Sequence, residues 1–320
     1  MDVALKDNRV QFGDRFSVSL HRTLRIPDDG RVYPLPPGFG LFPLRPASTT
    51  APGPRLELIV PLYQREALWL GFSAAPWKPN AVKVIVGGVN AVSGLPDTAT
   101  ALGDPQDYLV CPDQPWLDGF NAGGGVIRQF VAMPLDDGYT AEEQLTGAAQ
   151  WGGLQLLVYP MKAERYEALA RRRVPEGLGS GADERFVRAP SPAMGLAPGG
   201  RMKQEIYDDP YDLSDWDQRH ASRCFVTIVN SAVWTAIANE RPSMQPPTAK
   251  DYTKAGLPWF DYYSDTKSVD GSPLLAKLKS VFAIGQSKGE SPLPENESVT
   301  VERPVELGQQ RANVVREASL

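Results

Sequence analysis

Cysteine and histidine are scarce, with only two of each in 320 residues. Cys111 and Cys224 lie far apart in the chain and are too few for the disulfide framework of a small secreted domain. That favours a reducing or indifferent compartment. No C-x-x-C pair occurs, so the usual ligand spacing of structural zinc is missing. A Ser/His/Asp triad would have to recruit His21 or His220, and no G-x-S-x-G elbow presents a serine to either. Both histidines read as surface residues.

Positive charge is also short. Lys and Arg number 33 against 38 Asp and Glu, a net charge of −5. Such a balance leaves no footprint for neutralising phosphates, and nucleic acid is not expected as a partner. The basic run Arg171-Arg172-Arg173 sits among Glu164, Glu167 and Glu176 and reads as the end of a solvated helix. No apolar run approaches the ~18 residues needed to cross a bilayer. The first residues lack the basic start and apolar core of a signal peptide. A soluble, cytoplasmic protein without membrane contact is expected. Phosphate loops are missing too, because Gly123-Gly124-Gly125 precedes a strand rather than a helix.

What is abundant is punctuation. Gly (29) and Pro (30) make up about 18% of the chain, against an average near 12%. Helical bundles do not carry that many breakers. Residues 14–26 alternate, with Phe16, Val18, Leu20, Leu24 and Ile26 on one parity and Ser17, Ser19, His21, Thr23 and Arg25 on the other. This predicts a half-buried strand with one wet face. The Pro-rich stretch 33–54 cannot supply ladder donors and reads as a loop or extended arm. Residues 56–62, 126–133 and 154–159 read as further strands, 66–72 as a strand or a short helical turn, and 81–92 as a hairpin around Gly87-Gly88. No helix is expected among them.

The predicted fold class is therefore mainly β: an antiparallel sandwich or barrel in the N-terminal half, with a smaller α+β C-terminal region. Its expected parts are a β domain over 1–165, a helix and Gly/Pro-rich linker or loop over 166–200, the α+β region over 201–285, and a polar, mobile or strapped-down tail over 286–320. Within the third part, 224–229 reads as a buried strand. Asn230-Ser231 and Thr248 read as helix caps, and 274–282 shows the apolar spacing of a helix packing one face.

Candidate site residues concentrate in the loops of residues 111–160. Asp118 and Asp137 lie beside aromatic residues and would suit glycoside hydrolysis, in which one carboxyl protonates and the other attacks or activates water. Trp116, Asn121, Arg128, Tyr139, Trp151 and Arg201 are candidate ligand contacts: aromatics for stacking on sugars, arginines for an anion. Asp208, Asp209, Asp212 and Asp215 offer hard oxygens for Ca²⁺, although the spacing is not that of an EF-hand loop. No other cofactor is implied. Trp259, Phe260, Tyr262 and Tyr263 form an aromatic cluster suited either to internal packing or to a protein contact.

Two functions stay open. One is a β-rich binding or assembly protein without evident catalytic machinery, its partner a second copy of itself or another protein. The other is a carbohydrate-active enzyme, a carboxylate-based hydrolase, or a sugar-binding module.

Overall fold

The computed structural model describes residues 1–47, 53–96, 100–170, 193–262, 264 and 266–307. The protein is mainly β, and seventeen strands belong to one hydrogen-bonded sheet. Two strips can be followed through it. The first runs Val3–Lys6, Arg9–Phe12, Phe16–Thr23, Ala67–Ala74, Val126–Pro134, Ala193–Lys203, each antiparallel to the next. The second runs Arg55–Leu62, Ser222–Asn230, Leu154–Pro160, Asn80–Val86, Leu109–Cys111. Only its first pair is parallel. The strips join where Ala193 and Met194 pair with Val229 and Ile228. Among the described residues the strands do not close into a barrel; the two strips lie over one another as a sandwich.

The alternation explains the core. Phe16, Val18 and Leu20, Leu58 and Val60, Leu68 and Leu70, Val82 and Val84, Leu154 and Leu156, Val226 and Ile228 all enter one buried cluster. Side chains of one parity share a face of a strand, so the even-numbered residues of most of these strands meet in the middle, while Leu109 and Cys111 contribute the odd parity of theirs.

The outer faces are covered as well, and this corrects the reading of the first strand. Ser19, His21 and Thr23 are buried rather than wet. His21 stacks on Trp69 with ring centroids 3.8 Å apart. Trp69, Trp116, Ile127 and Met202 form an outer cluster with Tyr33, Leu35, Tyr252, Trp259 and Phe260. Ile85, Val110, Leu157 and Tyr159 pack under Leu102, Tyr108 and Trp216. Val131 and Met133 lie against Val281 and Ile284. A register shift between His21 and Thr23 is followed by Leu24 and Ile26, which enter the outer cluster instead of the central one. Strands apolar on both faces, such as ALWLGFSA, are what a coated sandwich requires.

Other local expectations change. A helix, Ala141–Thr146, does interrupt the early strands. Thr140 and Glu143 close a capping box at its start, a T-x-x-E signal present in the sequence. Residues 193–200, expected as the end of a linker, lie in the strand Ala193–Lys203. Its glycines serve close approach rather than flexibility. A Cβ on Gly200 would lie 2.5 Å from the Pro27 carbonyl oxygen, and one on Gly199 would lie 2.6 Å from Val131. The single helix expected over 274–282 is two short ones, Pro273–Ala276 and Val281–Ser287, each started by its own serine cap, Ser272 and Ser280. Asn230 and Thr248 cap as expected. The described part of the tail is strapped down: Arg25 reaches Glu295 at 3.1 Å, and Val305–Leu307 pairs with Phe260–Tyr262. Arg171 to Arg173, Tyr263, residues 174–192 of the expected linker and 308–320 of the tail lie outside the described residues.

Candidate functional site

A cleft of about 670 Å³ opens where three distant segments meet, 114–116, 203–207 and the described residues Tyr262, Ser264 and 266–268, with Gly124 and Gly125 at its lip. That volume falls within the ~300–1,000 Å³ of small-molecule sites. Strand pairing brings the segments together. Lys203 pairs with Val126, which lays 204–207 alongside the turn at 123–125. A bridge between Tyr207 and Ser268, and backbone hydrogen bonds from Val269 to Ile206 and Asp208 to Lys267, hold the third segment against the second.

Two buried amides secure the floor. The side chain of Gln114 donates to the carbonyls of Trp116 (3.0 Å) and Glu205 (3.2 Å) and accepts from the Tyr207 amide (3.1 Å). Gln204 donates to the Trp116 carbonyl (3.2 Å) and to Asp118 Oδ2 (3.1 Å), and accepts from the Asp118 amide (2.9 Å). Both are therefore framework groups. They fix Trp116, against which Tyr262 stands edge-on, centroids 5.0 Å apart at 68°.

The electrostatics are balanced. Lys203 holds both oxygens of Asp261 at 2.9 Å, and Lys267 meets Asp208 at 3.0 Å. Burial pushes the phenols of Tyr207 and Tyr262 above their ordinary value, aided at Tyr262 by the charge of Asp113.

The structure separates the remaining candidates. Asp118 is completely buried at a strand junction, while Asp137 is exposed on a turn. The pair does not share a cleft, and the two-carboxylate arrangement expected of a hydrolase is not formed by these residues. Asn121 is spent on the Asp270 carbonyl at 3.2 Å and the Gly123 amide at 3.3 Å. Arg128 donates to the Leu278 carbonyl at 2.9 Å and faces Asp28 at 3.8 Å. Arg201 is its exposed cross-strand neighbour. Tyr139 is buried, donating to Glu290 beneath Lys288. Trp151 is 74% exposed, away from the lining of the cleft. Trp259 is buried in the outer cluster and bonded to Thr253 at 3.0 Å, with Phe260 beside it. These two serve internal packing instead of a contact surface, whereas Tyr262 lines the cleft.

The acidic run is engaged with the protein itself. Asp209 accepts from Tyr108 and the Trp216 indole, both at 2.7 Å. Asp215 accepts from Arg165 at 2.8 Å, and Asp208 pairs with Lys267. Asp212 precedes a short 3-10 turn. Among the described residues no three of His, Cys, Asp and Glu form a group that could hold a metal. Both cysteines are free and buried, burial pushing their thiols well up. His220 is exposed beside Asp217 at 2.8 Å.

Comparison with protein families, curated proteins and solved structures found no match. Of the residues selected from sequence, Trp116 and Tyr262 come together at the cleft. Gln114, Gln204, Glu205, Tyr207 and the hydroxyls of 264–268 escaped selection. They carry no motif, and the pairing of Lys203 with Val126 together with the bridge between Tyr207 and Ser268 makes the distant ones neighbours of Trp116.

Proposed function

We propose that this β-sandwich is a binding protein that performs no bond-breaking chemistry, and that its ligand sits in the cleft above Trp116. One observation carries the reading. The two aromatics picked out independently in the sequence, Trp116 and Tyr262, meet at 5.0 Å on the wall of a cavity large enough for a small molecule. Ligand sites are concave and combine aromatic groups with placed polar ones, and this cleft sets Trp116, Tyr207 and Tyr262 in a mostly polar lining. The groups that would suggest catalysis point elsewhere. Asp118 supports a strand junction, His21 lies flat on Trp69, and both thiols are within the core.

The test is a thermal-shift screen with full-length protein. The panel holds neutral saccharides, phosphate and nucleotide anions, divalent cations and short peptides. A ligand bound only by the folded state raises the melting temperature. The expectation is that one class does so, and that Thr266→Trp, which fills the lip from an exposed position, removes the shift. A shift equal in both proteins would place the ligand elsewhere and end this reading.

A further inference from the structure

We infer that the cleft takes a short, uncharged oligosaccharide. The inference rests on the reading of the cleft as a ligand site and narrows it by three exclusions and one match.

An anionic ligand is disfavoured because both rim lysines are already neutralised. Lys203 is held by Asp261 and Lys267 by Asp208, and Glu205 adds a further acid to the lining. With two cations against three carboxylates, no positive field remains to attract phosphate or carboxylate groups. A cationic ligand would need a desolvated carboxylate aimed inward, yet Asp208 and Asp261 are committed to the lysines and Glu205 is exposed. An extended peptide would add to an open strand edge, and the edges here are taken. Phe260–Tyr262 lies between Leu35, which exchanges two backbone hydrogen bonds with Phe260, and Val305–Leu307. The end of Ala193–Lys203 lies between Val126–Pro134 and Val32–Tyr33.

What the cleft offers is amphipathic. Tyr262 is half-buried and provides ring surface with a polar tip, backed by Trp116 and Tyr207, which are 3% and 6% exposed. Ser264, Thr266 and Ser268 provide hydroxyls that both donate and accept. Ser264 and Thr266 are hydrogen-bonded to each other at 2.9 Å, which orients them. At the lip, a Cβ on Gly124 would meet nothing within 4 Å, so the wall there is bare backbone with open space above it. A pyranose ring has the same character: C–H faces that lie on aromatic rings and a rim of neutral hydroxyls.

The experiment is isothermal titration of full-length protein with neutral trisaccharides of glucose, mannose, xylose and N-acetylglucosamine, with trigalacturonate and with an uncharged Ala/Ser hexapeptide. At least one neutral trisaccharide should bind. Tyr262→Ala should weaken it tenfold or more, while Tyr262→Phe retains most of the affinity. Thr266→Trp serves the same purpose if Tyr262→Ala lowers the melting temperature. Trigalacturonate or the peptide binding in a Tyr262-dependent manner, with the neutral sugars inert, would overturn the saccharide class but leave the cleft as a ligand site. Neutral sugars that bind equally well to all variants, or not at all, would also overturn the inference.

Discussion

Arg22 and Glu66 show how much a single buried pair can decide. Arg22 Nε donates to Glu66 Oε1 at 2.9 Å, Nη2 adds a second bond, and the Tyr63 amide caps the other carboxylate oxygen at 2.8 Å. The side chains are 9% and 2% exposed, so neither charge has water to fall back on. Burial, foremost, pushes the Glu66 carboxyl up, and the Arg22 charge opposes it. Removing one partner of such a pair leaves an unpaired buried charge and costs ~3–5 kcal/mol. Glu66→Gln is expected to lose about that much in urea denaturation. Glu66→Gln combined with Arg22→Met should recover most of the loss. A double variant as unstable as the single one would show that packing, not charge, governs the site. Along the sequence Arg22 merely interrupts the apolar parity of residues 16–26. Its partner, 44 positions on, was invisible because no local periodicity links them.

At the scale of elements, the loop after Ala141–Thr146 is built by one carboxylate. Glu142 is 2% exposed and accepts the backbone N–H groups of Gln150 (2.9 Å), Trp151 (2.8 Å) and Gly152 (2.9 Å). Those amides have no ladder to join, and a hydrogen bond to a charged group contributes roughly 1.5–3 kcal/mol. Glu142→Ala is therefore expected to lower stability by that order and to accelerate hydrogen exchange at residues 150–152 far more than in the neighbouring strand Leu154–Pro160. Unchanged exchange there would mean the loop holds itself. The loop carries Trp151, the large exposed aromatic selected from sequence as a ligand contact. Its exposure follows from this clamp, since its backbone is fixed while its ring stands out over Gly88. Turn chemistry and caps such as Thr140, Asn230 and Thr248 were legible because they act within four residues. The split of 274–282 into two helices turned on Ser280, a cap concealed within an apolar pattern that looked continuous.

For the whole molecule, the distinctive feature is the coat over the sandwich, and three phenols help to secure it. Burial, with hydrogen bonds to Asp29 and Glu290 respectively, raises Tyr33 and Tyr139 to about 12 from an ordinary value of 10.0. Burial alone raises Tyr252 to about 12. A folded-state value above the unfolded one means that their contribution is fully present below pH 10 and lost as pH rises through about 12. Stability to urea should accordingly fall across that interval, with tyrosinate absorbance appearing alongside loss of near-ultraviolet circular dichroism. A stability profile flat over the same interval would show that these tyrosines do not anchor the coat. Strand content, alternation, turns and caps are local, set by the side-chain period of two and by backbone preferences, and they could be read directly along the chain. Whether an odd-numbered face meets water or protein is not local. It depends on which distant segment lies over it: residues around 33–39 and 249–260 return to cover Trp69, on which His21 stacks. The cleft follows from the same cause: its walls come from three separated segments, and only long-range strand pairing brings Tyr262 to Trp116.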